Sequence, residues 1–227
     1  MNDIKLNFME RGQGQPLILL HGNGEDGRYF SNQISYFSKR YKVIAVDTRG
    51  HGKSPRGTAP FTIRRFAKDL FYFMEEKGIE KADILGFSDG GNIALIFALK
   101  YPEKVGKLIL NGANLYPAGM KISVVLPIWA EYGLTWMFAH FSKTIKKKKE
   151  LLGLMIRDPY INPDDLKNIS AKTLVLVGRK DMIRHRHSLF IAKKIPQAIF
   201  VCLEGDHFIA AKNPDVFNRV VARFLVS

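Results

Sequence analysis

The sequence predicts an α/β fold, in which a mostly parallel central sheet is flanked by helices and carries a small helical insertion. Three observations lead to this prediction. Short apolar runs recur along the 227 residues, amphipathic stretches alternate with them, and the alternation breaks over 115–170. With 46% hydrophobic and 25% charged residues, the composition is that of a globular chain long enough for one large domain.

The apolar runs predict the strands of the sheet. Each is rich in Val, Ile and Leu, too short for a buried helix, and continuous rather than alternating, as in strands covered on both faces. The opening stretch "IKLNFMERG" alternates instead, which indicates an antiparallel edge strand. The predicted parallel strands are 16–20, 42–47, 82–87, 107–112, 172–178 and 198–205.

The intervening stretches predict helices that cover the sheet. The clearest begins near Thr62 and carries an apolar face formed by Phe66, Leu70, Phe73 and Met74. The final stretch, "NPDVFNRVVARFLVS", predicts a C-terminal helix.

Residues 115–170 have no clear strand and are too long for a plain loop in a compact domain. We assign 1–114 and 171–227 to the core and 115–170 to a helical lid. The lid holds both tryptophans, Trp129 and Trp136, which we expect to contribute to an apolar substrate pocket.

The formal net charge of +14 is high, yet the basic residues are scattered apart from "KTIKKKKE" at 143–150. We interpret Lys146–Lys149 as a solvated helix face, with a partner-binding patch as the alternative. No nucleic-acid-binding motif, membrane-span-length apolar run or signal-peptide layout is visible. The single cysteine, Cys202, falls in a predicted core strand and is expected to be a packed thiol. We expect a cytoplasmic protein without metal or cofactor.

A serine lies between glycines at the junction of a predicted strand and helix. The stretch Gly86-Phe87-Ser88-Asp89-Gly90 fits G-x-S-x-G, in which the glycines permit a tight strand-to-helix turn, the nucleophile elbow, that exposes the serine oxygen. A serine hydroxyl needs a base, and the base needs an orienting carboxylate. The pattern therefore predicts a nucleophile whose partners lie elsewhere in the chain.

The best base and acid follow the last two predicted strands. His207 lies in "EGDHFIAAKNP" and Asp181 in "LVGRKDMI", both at the active end of a parallel sheet. The order Ser88, Asp181, His207 is that of the α/β-hydrolases. The competing histidines are better interpreted as structural, packed, capping or solvent-exposed groups: His21, His51, His140, His185 and His187. For the acid, Asp206 adjoins His207 and neighbours in sequence usually point apart, whereas Asp47, at the end of a strand, stays open as a minor alternative.

Acyl transfer also needs hydrogen-bond donors for the developing oxyanion. The glycine-rich stretch "LLHGNGEDG" follows the first long strand and places the backbone amide of Asn23 near the predicted site. The amide of Asp89, directly after the nucleophile, supplies the second predicted donor. Together these amides form the predicted oxyanion hole.

Five stretches resemble the α/β-hydrolase superfamily, in family order and spacing. They are "LILLHGNG", "VIAVDTRGHGKS", "ILGFSDGGNIALIFALKYPEKVGKLILNGAN", "TLVLVGRKDMI" and "GDHFIAAKNP". The resemblance implies an α/β-hydrolase fold, a catalytic triad of Ser88, Asp181 and His207, and a lid at 115–170.

Within the superfamily, "GFSDGGNIAL" and "NGAN" resemble the valacyclovir hydrolase (biphenyl hydrolase-like) branch. That resemblance implies that Asp89 helps to bind a substrate ammonium, although an aspartate at a helix start also complements the helix dipole.

The residues favour a serine esterase acting on a small molecule. Hydrolysis of a carbon–carbon bond, lactone, thioester or amide, or perhydrolysis, would use the same constellation. Two other classes remain open: a non-catalytic small-molecule receptor and an interaction module that uses the lysine run.

Overall fold

The computed structural model describes residues 3–140 and 142–227, and Met1, Asn2 and Phe141 lie outside the described residues. One seven-stranded sheet organises the chain. Its strands are β1 (Phe8–Arg11), β2 (Pro16–Leu20), β3 (Lys42–Val46), β4 (Ala82–Phe87), β5 (Val105–Asn111), β6 (Lys172–Gly178) and β7 (Ala198–Leu203).

The sheet has the order β1-β3-β2-β4-β5-β6-β7. Strand β1 pairs antiparallel with β3 at one edge, and the other neighbours pair in parallel. The predicted antiparallel edge strand and the mostly parallel sheet are therefore confirmed. Because β2, β4, β5, β6 and β7 run in the same direction, their carboxyl ends meet at one rim, where ligands of open parallel sheets bind.

Eight helices are present in the described part of the chain. They are α1 (Ser31–Phe37), α2 (Ile63–Glu76), α3 (Asp89–Lys100), α4 (Ile122–Phe138), α5 (Lys143–Arg157), α6 (His185–Lys194), α7 (Ile209–Lys212) and α8 (Pro214–Val226). Helix α2 begins after Thr62, whose side chain accepts a hydrogen bond from the Arg65 amide at 3.1 Å and so caps the helix.

Helices cover both faces of the sheet. Helices α2, α3 and α6 bury an apolar cluster against one face, and the predicted face of α2 lies within this cluster. On the other face, Phe37 of α1 packs with Phe217, Val221 and Phe224 of α8. This two-sided burial is the physical reason why the strand sequences are continuously apolar.

Within 115–170, α4 and α5 pack on each other through a small cluster of Ile128, Tyr132, Leu152 and Ile156. The Arg56 guanidinium on the core forms an ion pair with Glu150 of α5 at 2.7 Å, which fastens this helical pair to the rest of the fold. None of the helices in the described ranges is long and apolar enough to span a bilayer.

The prediction of a packed Cys202 in a core strand was wrong in one respect. Its strand, β7, is at the edge of the sheet, and every residue of β7 is partly or fully exposed. Cys202 is consequently only half-buried. A continuous apolar run does not distinguish an edge strand from a central one, because both pack one face on helices.

Candidate active site

Ser88 lies between β4 and α3 in a strained conformation. Its φ of 53° and ψ of −119° make it the only non-glycine residue with a positive φ among the described residues. The Ser88 amide donates to the Asn111 carbonyl at the end of β5, at 2.8 Å. Backbone outliers of this kind persist only where the surroundings hold them, and they concentrate at functional sites.

Two glycines make the turn possible by allowing backbone segments to touch. A Cβ atom on Gly86 would lie 2.3 Å from the Gly90 carbonyl oxygen. A Cβ atom on Gly90 would lie 2.0 Å from the Leu20 carbonyl oxygen of β2. Side chains at these positions would therefore push the serine turn away from the sheet.

Asp181 and His207 are joined by a hydrogen bond. His207 Nδ1 donates to Asp181 Oδ1 at 2.7 Å, and both side chains are buried. The Ile183 amide also donates to Asp181 Oδ1, at 2.8 Å, which fixes the carboxylate after β6. With Nδ1 donating to the carboxylate, Nε2 of the imidazole is left as the acceptor.

Gly112 packs against His207 and Asp181, and the sequence analysis did not identify it as a site residue. It follows β5 with a φ of 65°, and a Cβ atom there would lie 2.7 Å from His207 Cε1 and 3.3 Å from Asp181 Oδ2. The sequence did contain an indication of this role, because Gly112 ends "KLILNG" and so directly follows a strand whose carboxyl end faces the site.

Ser88 and His207 share the wall of one cavity of about 310 Å³. Its lining is mainly apolar, and the roof is supplied by α5 through Leu151, Leu152 and Met155. The remaining lining residues are Asn23, Glu25, Phe87, Lys148, Met182 and Phe208. The cavity is of a size to hold a small molecule, with few polar groups to orient it.

The two predicted oxyanion residues lie beside the serine turn. Asn23 lines the cavity, and its backbone amide makes no hydrogen bond within the described part of the chain. Asp89 is the first residue of α3, where backbone amides have no partner within the helix. Both amides are thus available as donors near Ser88.

The Asp89 side chain is buried rather than on the cavity wall. Its Oδ1 accepts a hydrogen bond from Asn92 Nδ2 at 3.2 Å, which links it to the first turn of α3. Burial raises the pKa of Asp89 to about 6, with the nearby Asp158 carboxylate adding to the effect. The structure therefore does not bring this carboxylate to the cavity surface.

Glu25 is a cavity residue that the sequence reasoning missed. Its Oε2 accepts a hydrogen bond from the Gly22 amide at 3.1 Å, and burial raises its pKa to about 7. Attraction to a charged His207 opposes that rise. The available signal was an acidic residue inside the glycine-rich loop "HGNGEDG", which was already predicted to reach the site.

The competing groups have structural partners. His21 braces its turn, because Nδ1 faces the Gly22 carbonyl at 2.7 Å and Nε2 accepts from the Thr48 amide at 3.0 Å. Burial lowers the pKa of His21, which keeps the ring neutral. Asp47 accepts from the Gly27 amide at 2.8 Å and anchors that loop.

Other predicted residues lie away from the cavity wall. Trp129 and Trp136 of α4 are 51% and 59% exposed, and neither lines the cavity. The structure does not bring them to Ser88, since α5 rather than α4 forms the roof.

Within the Lys146–Lys149 run, only Lys148 lines this cavity, and it pairs with Glu131 of α4.

A family model described as the alpha/beta hydrolase fold matches residues 15–157, and the chain belongs to this family. Similar proteins include the 2-hydroxy-6-oxo-6-phenylhexa-2,4-dienoate hydrolase of Burkholderia cepacia, 28% identical, with 100% of this chain and 93% of that protein covered. The serine hydrolase BPHL of Homo sapiens is 29% identical, with 99% and 84% covered.

Solved structures agree with this assignment. The meta-cleavage product hydrolase CumD from Pseudomonas fluorescens IP01, complexed with acetates, matches with a TM-score of 0.78 and 25% identity, covering 98% of this chain and 94% of that one. The predicted α/β-hydrolase fold and the resemblance to the biphenyl hydrolase-like branch are confirmed. The chain is a hydrolase of this family.

Proposed function

We propose that the protein is a serine hydrolase that cleaves a small ester-like substrate through an acyl-enzyme. The observation that supports this proposal most directly is the His207–Asp181 hydrogen bond of 2.7 Å, because His207 and Ser88 line the same cavity. In this proposal Ser88 is the nucleophile, His207 the general base and Asp181 the group that orients the imidazole.

The proposed reaction proceeds in two halves. Ser88 Oγ attacks the substrate carbonyl carbon while His207 Nε2 takes the hydroxyl proton, and the backbone amides of Asn23 and Asp89 hold the oxyanion. The protonated imidazole then donates its proton to the leaving alcohol. A water molecule deprotonated by His207 attacks the acyl-enzyme, and the acid is released as Ser88 regains its proton.

The experiment compares Ser88→Ala with the wild type on p-nitrophenyl acetate and with a fluorophosphonate probe. We expect turnover to fall by roughly a thousandfold or more and labelling to disappear. Ser170→Ala, at an exposed serine, is the matched control and should retain both properties. Wild-type turnover in Ser88→Ala would refute the proposal, and an unlabelled wild-type protein would favour a receptor without catalysis.

A second candidate is hydrolysis of a carbon–carbon bond. The observation that favours it is full-length similarity to two hydrolases whose names specify 2-hydroxy-6-oxo dienoate-type substrates, at 28% and 29% identity. The same serine, base and oxyanion donors would serve this chemistry. In this candidate, Lys148 on the cavity wall would exchange its ion pair with Glu131 for one with the carboxylate of such a substrate.

A substrate panel separates these candidates. Esters of increasing acyl length, aminoacyl esters and a 2-hydroxy-6-oxo dienoate should be compared by kcat/KM. Preference for the dienoate would select the carbon–carbon hydrolase, and preference for simple esters would select the esterase. Because the Asp89 carboxylate is buried, we expect no preference for a free amino group, and a strong one would restore the predicted ammonium role.

A further inference from the structure

The outer face of α4 is an unusual exposed apolar surface. Seven large apolar side chains on this helix are between 48% and 61% exposed, out of thirteen such side chains among the described residues. We call them the lid patch: Ile122, Leu126, Trp129, Leu134, Trp136, Met137 and Phe138. Apolar patches of this kind mark interaction sites, whereas singly scattered ones do not.

The patch follows from the sequence of α4, which is apolar on nearly all sides. Its inner side packs on α5 through Ile128 and Tyr132. Its outer side carries Ile122, Leu126 and Trp129 at spacings of four and three residues, which places them in one stripe. A helix that is apolar all round is normally buried all round, so the outer side of α4 lacks a covering partner.

Basic residues of α5 border the patch. Lys149 Nζ lies 5.9 Å from the centre of the Trp136 ring, which places this end of the lysine run beside the patch. The single acidic residue of α4, Glu131, is neutralised by Lys148. Lys146 and Lys147 lie on the same helix as Lys149 and are exposed, although they line a separate cavity with Arg56 and Phe61. The surroundings of the patch are therefore cationic, in a chain with a formal net charge of +14.

We propose that the lid patch docks on the surface of an anionic lipid bilayer, with α4 lying in the interface. Tryptophan is favoured at the boundary between headgroups and acyl chains, and lysines beside an apolar helix face attract anionic headgroups. A second copy of the chain is disfavoured as the occupant, because pairing two patches would bring two lysine runs and two +14 chains together. The proposal is independent of the reaction proposed above.

The chain carries its own reporter, because Trp129 and Trp136 are its only tryptophans. The full chain is mixed with vesicles of phosphatidylcholine alone or of equimolar phosphatidylcholine and phosphatidylglycerol. We expect co-sedimentation and a shift of tryptophan emission to shorter wavelength only with the anionic vesicles. Binding should weaken in high salt, where the Debye length falls to about 3 Å at 1 M.

Two variants test the two halves of the surface. The double variant Leu126→Asn with Leu134→Asn should weaken vesicle binding roughly tenfold. Its control is Ile199→Asn with Val226→Asn, at exposed apolar side chains elsewhere, which should leave vesicle binding unchanged.

A triple variant, in which Lys146, Lys147 and Lys149 are changed to Gln, should weaken vesicle binding by roughly a hundredfold. The matched control removes the same charge at Lys39, Lys81 and Lys193, which are exposed elsewhere in the chain.

Three outcomes would overturn the proposal. The first is an absence of binding to anionic vesicles. The second is binding that depends only on total charge, so that the matched lysine control loses as much affinity and the leucine variant none. The third is a concentration-dependent dimer abolished by Leu126→Asn with Leu134→Asn, without vesicle binding, which would assign the patch to a second copy. Circular dichroism of each variant confirms that the fold is retained.

Discussion

The side chain of Asn23 donates a hydrogen bond to the Leu151 carbonyl at 2.8 Å and so ties the loop after β2 to α5. The loop that carries the proposed oxyanion donor and the helix that covers the cavity are therefore linked directly. Asn23→Ala keeps the backbone amide but removes this link. Because one hydrogen bond contributes about 1 kcal/mol, we expect KM to rise roughly fivefold with kcat nearly unchanged.

Steady-state kinetics on a p-nitrophenyl ester measures this effect. Asn168→Ala, at an exposed asparagine outside the cavity, is the control and should leave KM unchanged. A fall in kcat with constant KM in Asn23→Ala would instead place the side chain in the chemical step.

Asp181→Asn should impair catalysis far more than stability. The amide would favour the wrong tautomer of His207, so we expect kcat to fall by roughly a thousandfold to ten-thousandfold. The control is Asp206→Asn, next to His207 in sequence but half-buried, paired with Lys212 and bonded to the Phe208 amide at 2.9 Å. If both variants lose similar activity, the assignment of Asp181 as the orienting acid is incorrect.

Glu25 should add a titration to the pH profile. Its pKa of about 7 means that it becomes ionised as pH rises through neutrality, where its negative charge stabilises the imidazolium that His207 forms during reaction. We expect Glu25→Gln to lower kcat/KM several-fold above pH 7 and to have little effect well below it. A uniform loss at all pH values, measured from about pH 5 to 9, would exclude an electrostatic role.

Asp89 should make folding stability depend on pH. The folded-state pKa of about 6 lies above the ordinary aspartate pKa of 3.8, so between these pH values the folded chain retains a proton that the unfolded chain loses. The stability contribution of Asp89 is therefore full below about pH 4, falls as pH rises to about 6, and is constant above that. Asp89→Asn should remove this fall and raise the free energy of unfolding at pH 8 by on the order of 2 kcal/mol.

Urea unfolding of both proteins at pH 4.5 and 8 measures the difference, with constant ionic strength. An equal effect of Asp89→Asn at both pH values would mean that the carboxylate is as stable in the folded chain as in the unfolded one.

Gly90→Ala should disrupt the serine turn, because the new Cβ atom would lie 2.0 Å from the Leu20 carbonyl oxygen. We expect a loss of about 3 kcal/mol or more in the free energy of unfolding, or no folded product. Gly133→Ala in α4 is the control, since a Cβ atom there has no neighbour within 4 Å. That change should stabilise the helix by about 0.5–1 kcal/mol, and equal effects of the two variants would contradict the close-packing argument.

Much of the fold was predictable, because a parallel strand that is buried on both faces has a short, continuously apolar sequence. The runs at 16–20, 82–87 and 172–178 coincide with β2, β4 and β6. The sequence does not show which strand lies at the edge of the sheet, because long-range contacts decide the order of the strands. The exposure of Cys202 in the edge strand β7 was therefore not predictable.

The positions of the proposed site residues were predictable where backbone constraints select residue types. The glycines around Ser88 and the loop positions of Asp181 and His207 are such cases, and the structure places Ser88 and His207 in one cavity. Side-chain direction in the lid was not predictable. Trp129 and Trp136 are apolar residues at helical spacing, and the sequence alone does not say which side of α4 faces the core.

The pairing of β5 with β6 joins an earlier and a later part of the chain, and the proposed site residues come from both parts. Ser88 and both proposed oxyanion donors precede β5, whereas Asp181 follows β6 and His207 follows β7. A nascent chain that has not yet reached His207 therefore carries the Ser88 hydroxyl without the imidazole proposed to activate it. On the proposed mechanism, Ser88 becomes reactive only when the segment that carries Asp181 and His207 has joined the sheet, so a covalent serine probe would also report on the folding of that segment.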